Sequence, residues 1–299
     1  MQIIDAHQHF WDLGQNYLPW LRDEPPIPFR YGDYSSLKRN YLPADYRRDA
    51  GRFEIIGSVF IETEWDPEDP LGETRWVADL QQREGLPSVM VAQAWLDRGD
   101  VEEVLASHGR NPIVRGIRHK PKAAKDPQSV DDGARGSMGD PEWRRGFGLL
   151  SANGLSFDLQ TPWWHLKEAR RLAEDFGDTV IVLNHTGLPA DRSSDGLSGW
   201  REALSTLAGA PNVNLKISGI GIAGRPWSVE DNRAIVLDAI EIFGAGRVMF
   251  ASNFPVDSLV GSFETIFDGF DVITSGFNEQ ERAAMFRENA RRIYRFEGK

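Results

Sequence analysis

Cysteine is absent from the 299-residue chain, which excludes disulfides, zinc–thiolate sites and thiol nucleophiles together. Any metal ion would have to be held by imidazole and carboxylate. Long apolar runs are lacking as well, since none approaches the ~20 residues that cross a bilayer. The opening residues, Met1 to His7, hold no basic stretch followed by the apolar core of an export signal, so the expected location is cytoplasmic. A basic run or tail is also missing, and the formal net charge is -11. Nothing here would draw the chain to a phosphate backbone or an anionic membrane, so nucleic acid and membranes are not expected partners.

What is present reads as a globular protein: 40% of residues are hydrophobic and 26% charged. Residues 1–299 are expected to form a single domain, and no linker or low-complexity tract divides them. Short β-branched or apolar runs lie near 3–5, 55–62, 89–96, 113–119, 155–160, 180–185, 213–218 and 248–253. Helical spacing occupies 72–84, 101–108, 141–153, 166–176, 199–207, 229–243 and 279–296, with Ser198 and Asn278 as capping residues. Strand then helix, repeated to eight strands, predicts an α/β fold of the (β/α)8 TIM-barrel type. A doubly wound open sheet would carry a glycine-rich phosphate turn after its first strand, and none is there. In its place comes a long segment, from Phe10 to about Ser36, with Trp11, Tyr17, Trp20, Phe29, Tyr31 and Tyr34. We read it as an aromatic lid loop over the barrel mouth, the alternative being a loop packed on the barrel flank for stability.

A parallel barrel delivers the ends of all its strands to one face, where active sites form. His7 and His9 are two residues apart on the first strand and point to one side, because side chains alternate along a strand. His185, at the end of the sixth strand, is the natural third member of a cluster. Such a trio can bind one divalent ion, zinc or manganese, or can hold a substrate oxygen without metal. His108 and His165 fall within or at the start of helices and are expected at the surface, with His119 near the mouth. Arg115 and Arg118 are spaced by three and face opposite ways, so Arg118, nearer the mouth, is expected to meet substrate. Asp158 and Lys216 form either a buried ion pair or substrate contacts. Further candidate substrate contacts are Trp11, Glu62 and His119. Ser218 and Ser252 lack the setting of a nucleophile elbow.

Four segments together, Ile-Asp-Ala-His-Gln-His-Phe-Trp at 4–11, Arg-Gly-Ile-Arg-His at 115–119, Asn-His-Thr-Gly at 184–187 and Met-Phe-Ala-Ser-Asn-Phe-Pro-Val at 249–256, resemble the amidohydrolase-2 group of metal-dependent hydrolases. Within it they are similar to the branch of sugar-lactone and pyrone-dicarboxylate lactonases. The resemblance implies that His7, His9 and His185 bind a divalent ion or hold the lactone carbonyl. The group commonly has a histidine at the end of strand five, where this chain has Asp158 and Gln160, and an aspartate at the end of strand eight, where it has Asn253. An amide cannot accept a proton at neutral pH. The base would therefore be Asp257, Glu62, Glu64 or an uncharged histidine of the cluster.

The expected activity is hydrolysis of a lactone or related cyclic ester of a sugar acid, a carboxylic ester hydrolase acting in carbohydrate metabolism, with a small-molecule substrate and an assembly left open between monomer and homo-oligomer. The alternatives are nonoxidative decarboxylation of an unsaturated or aromatic acid, which the missing strand-eight acid disfavours, and a catalytically silent barrel that binds a sugar acid or a partner.

Overall fold

A computed structural model describes residues 1–297. Eight parallel strands follow one another around a single sheet in chain order. They are β1 (Gln2–Gln8), β2 (Glu54–Ile61), β3 (Val89–Gln93), β4 (Val114–Arg118), β5 (Ser156–Leu159), β6 (Ile181–Leu183), β7 (Val213–Ile217) and β8 (Val248–Phe250). The ring closes where β8 runs out against β1. There the Asn253 backbone N–H donates to the His7 carbonyl at 2.8 Å, and the His9 N–H to the Phe254 carbonyl at 2.8 Å. This is the (β/α)8 barrel that the strand count predicted, and among the described residues no helix is long and apolar enough to cross a membrane.

Period-two alternation sorts the strand side chains into two layers. Val59 and Ile61 of β2, Val89 and Val91 of β3, Val182 of β6 and Met249 of β8 cluster with Ile4, Ala6 and Ala251 inside the barrel. Their neighbours Phe60, Met90, Leu183 and Phe250 pack outward against the helices. Tyr294 and Ile293 plug the interior from the C-terminal segment. Trp143 and Trp200 are fully buried beneath the helical layer. Truncating either would cost about 3–5 kcal/mol through lost burial and the cavity left behind.

Several expectations need correction. The helix expected from 199 begins at Ser194 and runs to Ala208, capped by Ser193, whose Oγ accepts from the Gly196 N–H at 3.1 Å; Ser198 lies inside it. Asn278 caps as expected, in a reciprocal box with Glu281. The helix Phe263–Ile273, which the sequence reading missed, packs on β8 through the stripe Phe263, Ile266, Phe267, Phe270 and Ile273, a helical spacing present in its sequence FETIFDGFDVI. Its Gly269 lies flush against Trp227, where a Cβ would stand 2.1 Å from the indole. His108 and His165 are not at the surface but buried. The His108 ring contacts the Gln93 carbonyl at 3.0 Å. His165 Nδ1 lies 3.0 Å from Glu168, and its Nε2 accepts the Ala124 N–H at 2.8 Å. Helical position alone misplaced them, because an imidazole can bury in an apolar layer once both nitrogens find partners.

Candidate active site

Asp5 fastens the floor of the barrel mouth. Its carboxylate accepts from the Ser252 N–H at 2.8 Å, the Ser252 hydroxyl at 2.6 Å and the Tyr46 hydroxyl at 2.8 Å. The end of β1 is thereby bound to the end of β8, and the residues that follow each strand are held side by side. Four residues at this rim, Glu64, His185, Thr186 and Asn253, have φ between 52° and 58°. Left-handed backbone at a non-glycine residue stores on the order of 1 kcal/mol or more and concentrates at functional sites.

The three histidines of the sequence reading do meet. The His7 and His9 ring centroids are 5.0 Å apart, edge to face, and those of His7 and His185 are 4.7 Å apart. His9 Nδ1 is 2.8 Å from the Ile61 carbonyl oxygen. A carbonyl only accepts, so Nδ1 carries the proton and Nε2 of the neutral ring is an unprotonated lone pair, with the Asn253 side chain in reach of the ring. His185 Nδ1 is 2.9 Å from the Ser218 hydroxyl. Neither His7 nitrogen has a hydrogen-bond partner, although both are buried. Burial, first, holds all three rings neutral. It pushes His9 down to about 3, with help from the nearby Arg118 charge, and takes His7 and His185 well below the usual imidazole range.

Arg118 projects inward, as its place nearer the mouth than Arg115 predicted, with each guanidinium nitrogen bonded and two of its five N–H groups left over. Its Nε meets the Glu62 carboxylate, its Nη2 donates to the Glu62 carbonyl at 2.6 Å and its Nη1 to Gln160 Oε1 at 3.1 Å. Arg115 turns away, donating to the Arg295 carbonyl at 3.1 Å. Glu64 pairs with Lys120. Asn253 Nδ2 donates to Asp257 Oδ1 at 2.6 Å. Asp257 also accepts from the Tyr31 hydroxyl at 3.2 Å, the Gly219 N–H at 3.1 Å and Arg30 at 3.3 Å. Burial raises its pKa, and those donors oppose the rise.

These groups surround a cavity of about 280 Å³ lined by His9, His185, Arg118, Asn253, Glu62 and, from the segment after β1, Trp11, Trp20, Phe29 and Arg30. Trp20 and Phe29 stack at 5.7 Å, and the Trp20 indole N–H donates to the Thr63 carbonyl at 2.8 Å. The aromatic segment thus forms a wall of the cavity. Asp158 and Lys216 are buried against each other at 2.6 Å and do not line it. The Tyr294 hydroxyl donates to Asp158 at 2.9 Å, and the lysine lies 4.9 Å from the Tyr294 ring centre. His119 accepts the Leu96 N–H at 3.0 Å through Nδ1 and also stands outside the lining. From the sequence, Arg30 and Asp5 have no site role, and Tyr31 is placed only in the aromatic loop. Arg30 and Tyr31 are 227 and 226 residues from Asp257, a separation no local spacing reveals.

The neutral imidazoles have the charge state a divalent ion requires. Their placement does not fit one: among the described residues no group of three or more His, Cys, Asp or Glu side chains is arranged to hold a metal ion. The carboxylate at the end of β5 is committed to Lys216, and the residue at the end of β8 is an amide.

The chain is similar to known proteins over nearly its whole length. The family model described as amidohydrolase matches residues 4–296. An uncharacterized protein of Sinorhizobium fredii is 42% identical, with 98% of each chain covered. An L-fucono-1,5-lactonase of Burkholderia ambifaria is 28% identical over 87% of this chain and 82% of its own. A crystal structure of an amidohydrolase from Burkholderia multivorans with bound zinc superposes with a TM-score of 0.78 at 25% identity, covering 99% of both chains.

Proposed function

The chain belongs to the amidohydrolase family, and from that premise we propose that it is a lactonase that opens a neutral, hydroxylated lactone of a sugar acid. One observation carries the substrate reading: every charged side chain lining the cavity already has a partner of opposite sign. Arg118 has Glu62, Lys120 has Glu64 and Arg30 has Asp257. A site so balanced offers no net charge to an anion, while its polar rims and the faces of Trp11, Trp20 and Phe29 suit a ring that is apolar on its faces and hydroxylated at its edge. The same balance disfavours decarboxylation of an acid, which would have to enter as an anion. The lactonase name of a relative spanning most of the chain supports the reading. In it the aromatic segment acts as the cover of the site.

The chain's own groups suffice for the reaction. Water adds to the lactone carbonyl carbon, and the unprotonated Nε2 of His9 accepts the hydrogen bond through which that water gives up its proton. A buried, neutral imidazole is a weak base, but a strained cyclic ester asks little of it. Asn253, its amide nitrogen held by Asp257, presents Oδ1 as an acceptor that orients the water and cannot take its proton. The guanidinium of Arg118, fixed by three partners, supplies preorganised positive potential for the developing oxyanion, with His185 opposite. The ring carbon–oxygen bond then breaks, its electron pair stays on the ring oxygen, and that oxygen takes the proton His9 Nε2 had accepted, which regenerates the neutral imidazole as the hydroxy acid forms.

The deciding experiment is acid release from a panel of aldono-lactones by folded protein, with and without a chelator and with elemental analysis of the sample. Turnover of at least one lactone that survives chelation is expected. A flat response across the panel, with or without added zinc or manganese, would overturn the reading.

A further inference from the structure

Hydrolysis converts an uncharged lactone into an anion at neutral pH, and the cavity described above has no free cation waiting for it. Resting on the lactonase reading, we propose that Arg30 is the residue that leaves its pairing to bind the carboxylate of the ring-opened product.

The three cations of the site differ in how firmly they are held. Arg118 is buried, with all three guanidinium nitrogens engaged by Glu62 and Gln160. Lys120 and Glu64 are in close contact at the outer rim. Arg30 makes two hydrogen bonds, both long, 3.3 Å to Asp257 Oδ1 and 3.4 Å to the Gly219 carbonyl, and its guanidinium lies 4.7 Å from the Tyr31 ring centre, a contact that turning the head need not replace with a charge. Its side chain is 28% exposed, whereas that of Asp257 is 2% exposed. Asp257 keeps Asn253, Tyr31 and the Gly219 N–H as donors if Arg30 departs, so the carboxylate is not orphaned by the movement.

Arg30 also stands where the charge is formed. Gly219, at φ +59°, lies between it and the histidine cluster: a Cβ there would be 2.6 Å from His185 Nδ1 and 2.8 Å from Arg30 Nη2. Only a glycine lets both approach so closely. Arg30 lines the catalytic cavity and also a second, more apolar cavity of about 330 Å³ beside Tyr31, Trp164 and Ile220, so its head has room to turn. A guanidinium matches a carboxylate with paired donors, which it cannot do for a lactone carbonyl. Product charge is therefore met by a residue on the covering segment, which couples carboxylate formation to that segment.

The test compares lactone kinetics with inhibition by the matching aldonate for the wild-type chain, Arg30→Gln and Arg30→Lys. Arg30→Gln is expected to weaken aldonate inhibition about ten-fold or more, with KM for the neutral lactone changing by a clearly smaller factor and Arg30→Lys recovering part of the loss. Equal changes for lactone and aldonate, or aldonate inhibition as tight as in the wild type, would overturn the assignment of Arg30 while leaving the lactonase reading intact. A wild-type chain that hydrolyses no lactone and binds no aldonate would overturn both. Unfolding midpoints of the variants separate loss of folding from loss of binding.

Discussion

Asn253 donates its side-chain nitrogen to Asp257 at 2.6 Å, so an amide stands in the catalytic cavity and the acid stands behind it. The pairing fixes which end of the amide faces substrate. Asp257, though a candidate base by residue type, has four donors on its two oxygens and acts as a positioning residue. Replacing it by alanine releases Asn253, Tyr31 and Arg30 together. The expected result is a fall in kcat of about 10–100-fold, the scale of losing a charge-assisted hydrogen bond in the transition state. Asp257→Asn should recover part of it, and a variant in which only KM changes would contradict a positioning role.

Asn253→Asp is expected not to create an ordinary base. It places a second carboxyl 2.6 Å from Asp257, whose proton affinity burial already raises. Two carboxylates so close share a proton, and the pair loses it only at higher pH. Any activity the variant has should therefore rise with pH across the neutral range, where the wild type, with neutral histidines throughout, is flat. Parallel pH profiles of kcat/KM for the two proteins check this.

Much of this site was legible in the sequence because a parallel barrel turns position along a strand into position in space. His7 and His9 on one strand end and His185 on another had to share the rim, and a spacing of three set Arg118 and Arg115 on opposite faces. What was not legible depends on partners distant in the chain. Asp158 and Lys216 could have been ligands or a buried pair, and only the plug formed by Tyr294 shows that they belong to the barrel interior. His165 and His108 look like surface residues until their nitrogens are seen to be satisfied. Arg30 reaches the site through an irregular segment with no period to read.

Lys216→Met should destabilise the fold more than any change at the rim. It leaves Asp158 fully buried with only Tyr294 and Asn184 donating to it, and breaking a buried pair from one side costs about 3–5 kcal/mol. Burial already pushes the lysine down to about 8, with Asp158 opposing the shift. Urea unfolding of Lys216→Met and of Lys216→Met combined with Asp158→Leu should show the double variant less damaged than the single one. Additive losses would mean the two residues do not act as a pair.

Glu73 predicts a pH dependence of stability. It accepts from the Thr63 hydroxyl at 2.6 Å and the Thr63 N–H at 2.8 Å through one oxygen, while the other is buried without a partner. Burial, then repulsion from Glu62, raises its pKa well above the carboxylate range. The folded state thus holds this proton more tightly than the unfolded chain does. The resulting stabilisation is complete at low pH, below the unfolded value, and is lost as pH rises through the raised one. Glu73→Gln keeps an acceptor for Thr63 and has no proton to lose. Relative to the wild type it should gain stability toward alkaline pH, on the order of 1 kcal/mol, in denaturant titrations at pH 6 and pH 9, and an unchanged difference between the two pH values would count against it.

Gly219→Ala tests whether the close approach of His185 and Arg30 matters to catalysis or only to packing. The added methyl meets His185 Nδ1 at 2.6 Å and Arg30 Nη2 at 2.8 Å on a backbone at φ +59°. An alanine at positive φ costs about 1 kcal/mol of stability. Displacing the His185 ring also breaks its contact with Ser218 and moves it relative to His7. Misplacement of a reacting group by about 1 Å can cost on the order of 100-fold in rate. The expected variant is therefore folded, with a slightly lower melting temperature, and has lost far more activity than stability. If instead kcat stays near the wild-type value while the melting temperature falls, His185 has no part in the chemistry.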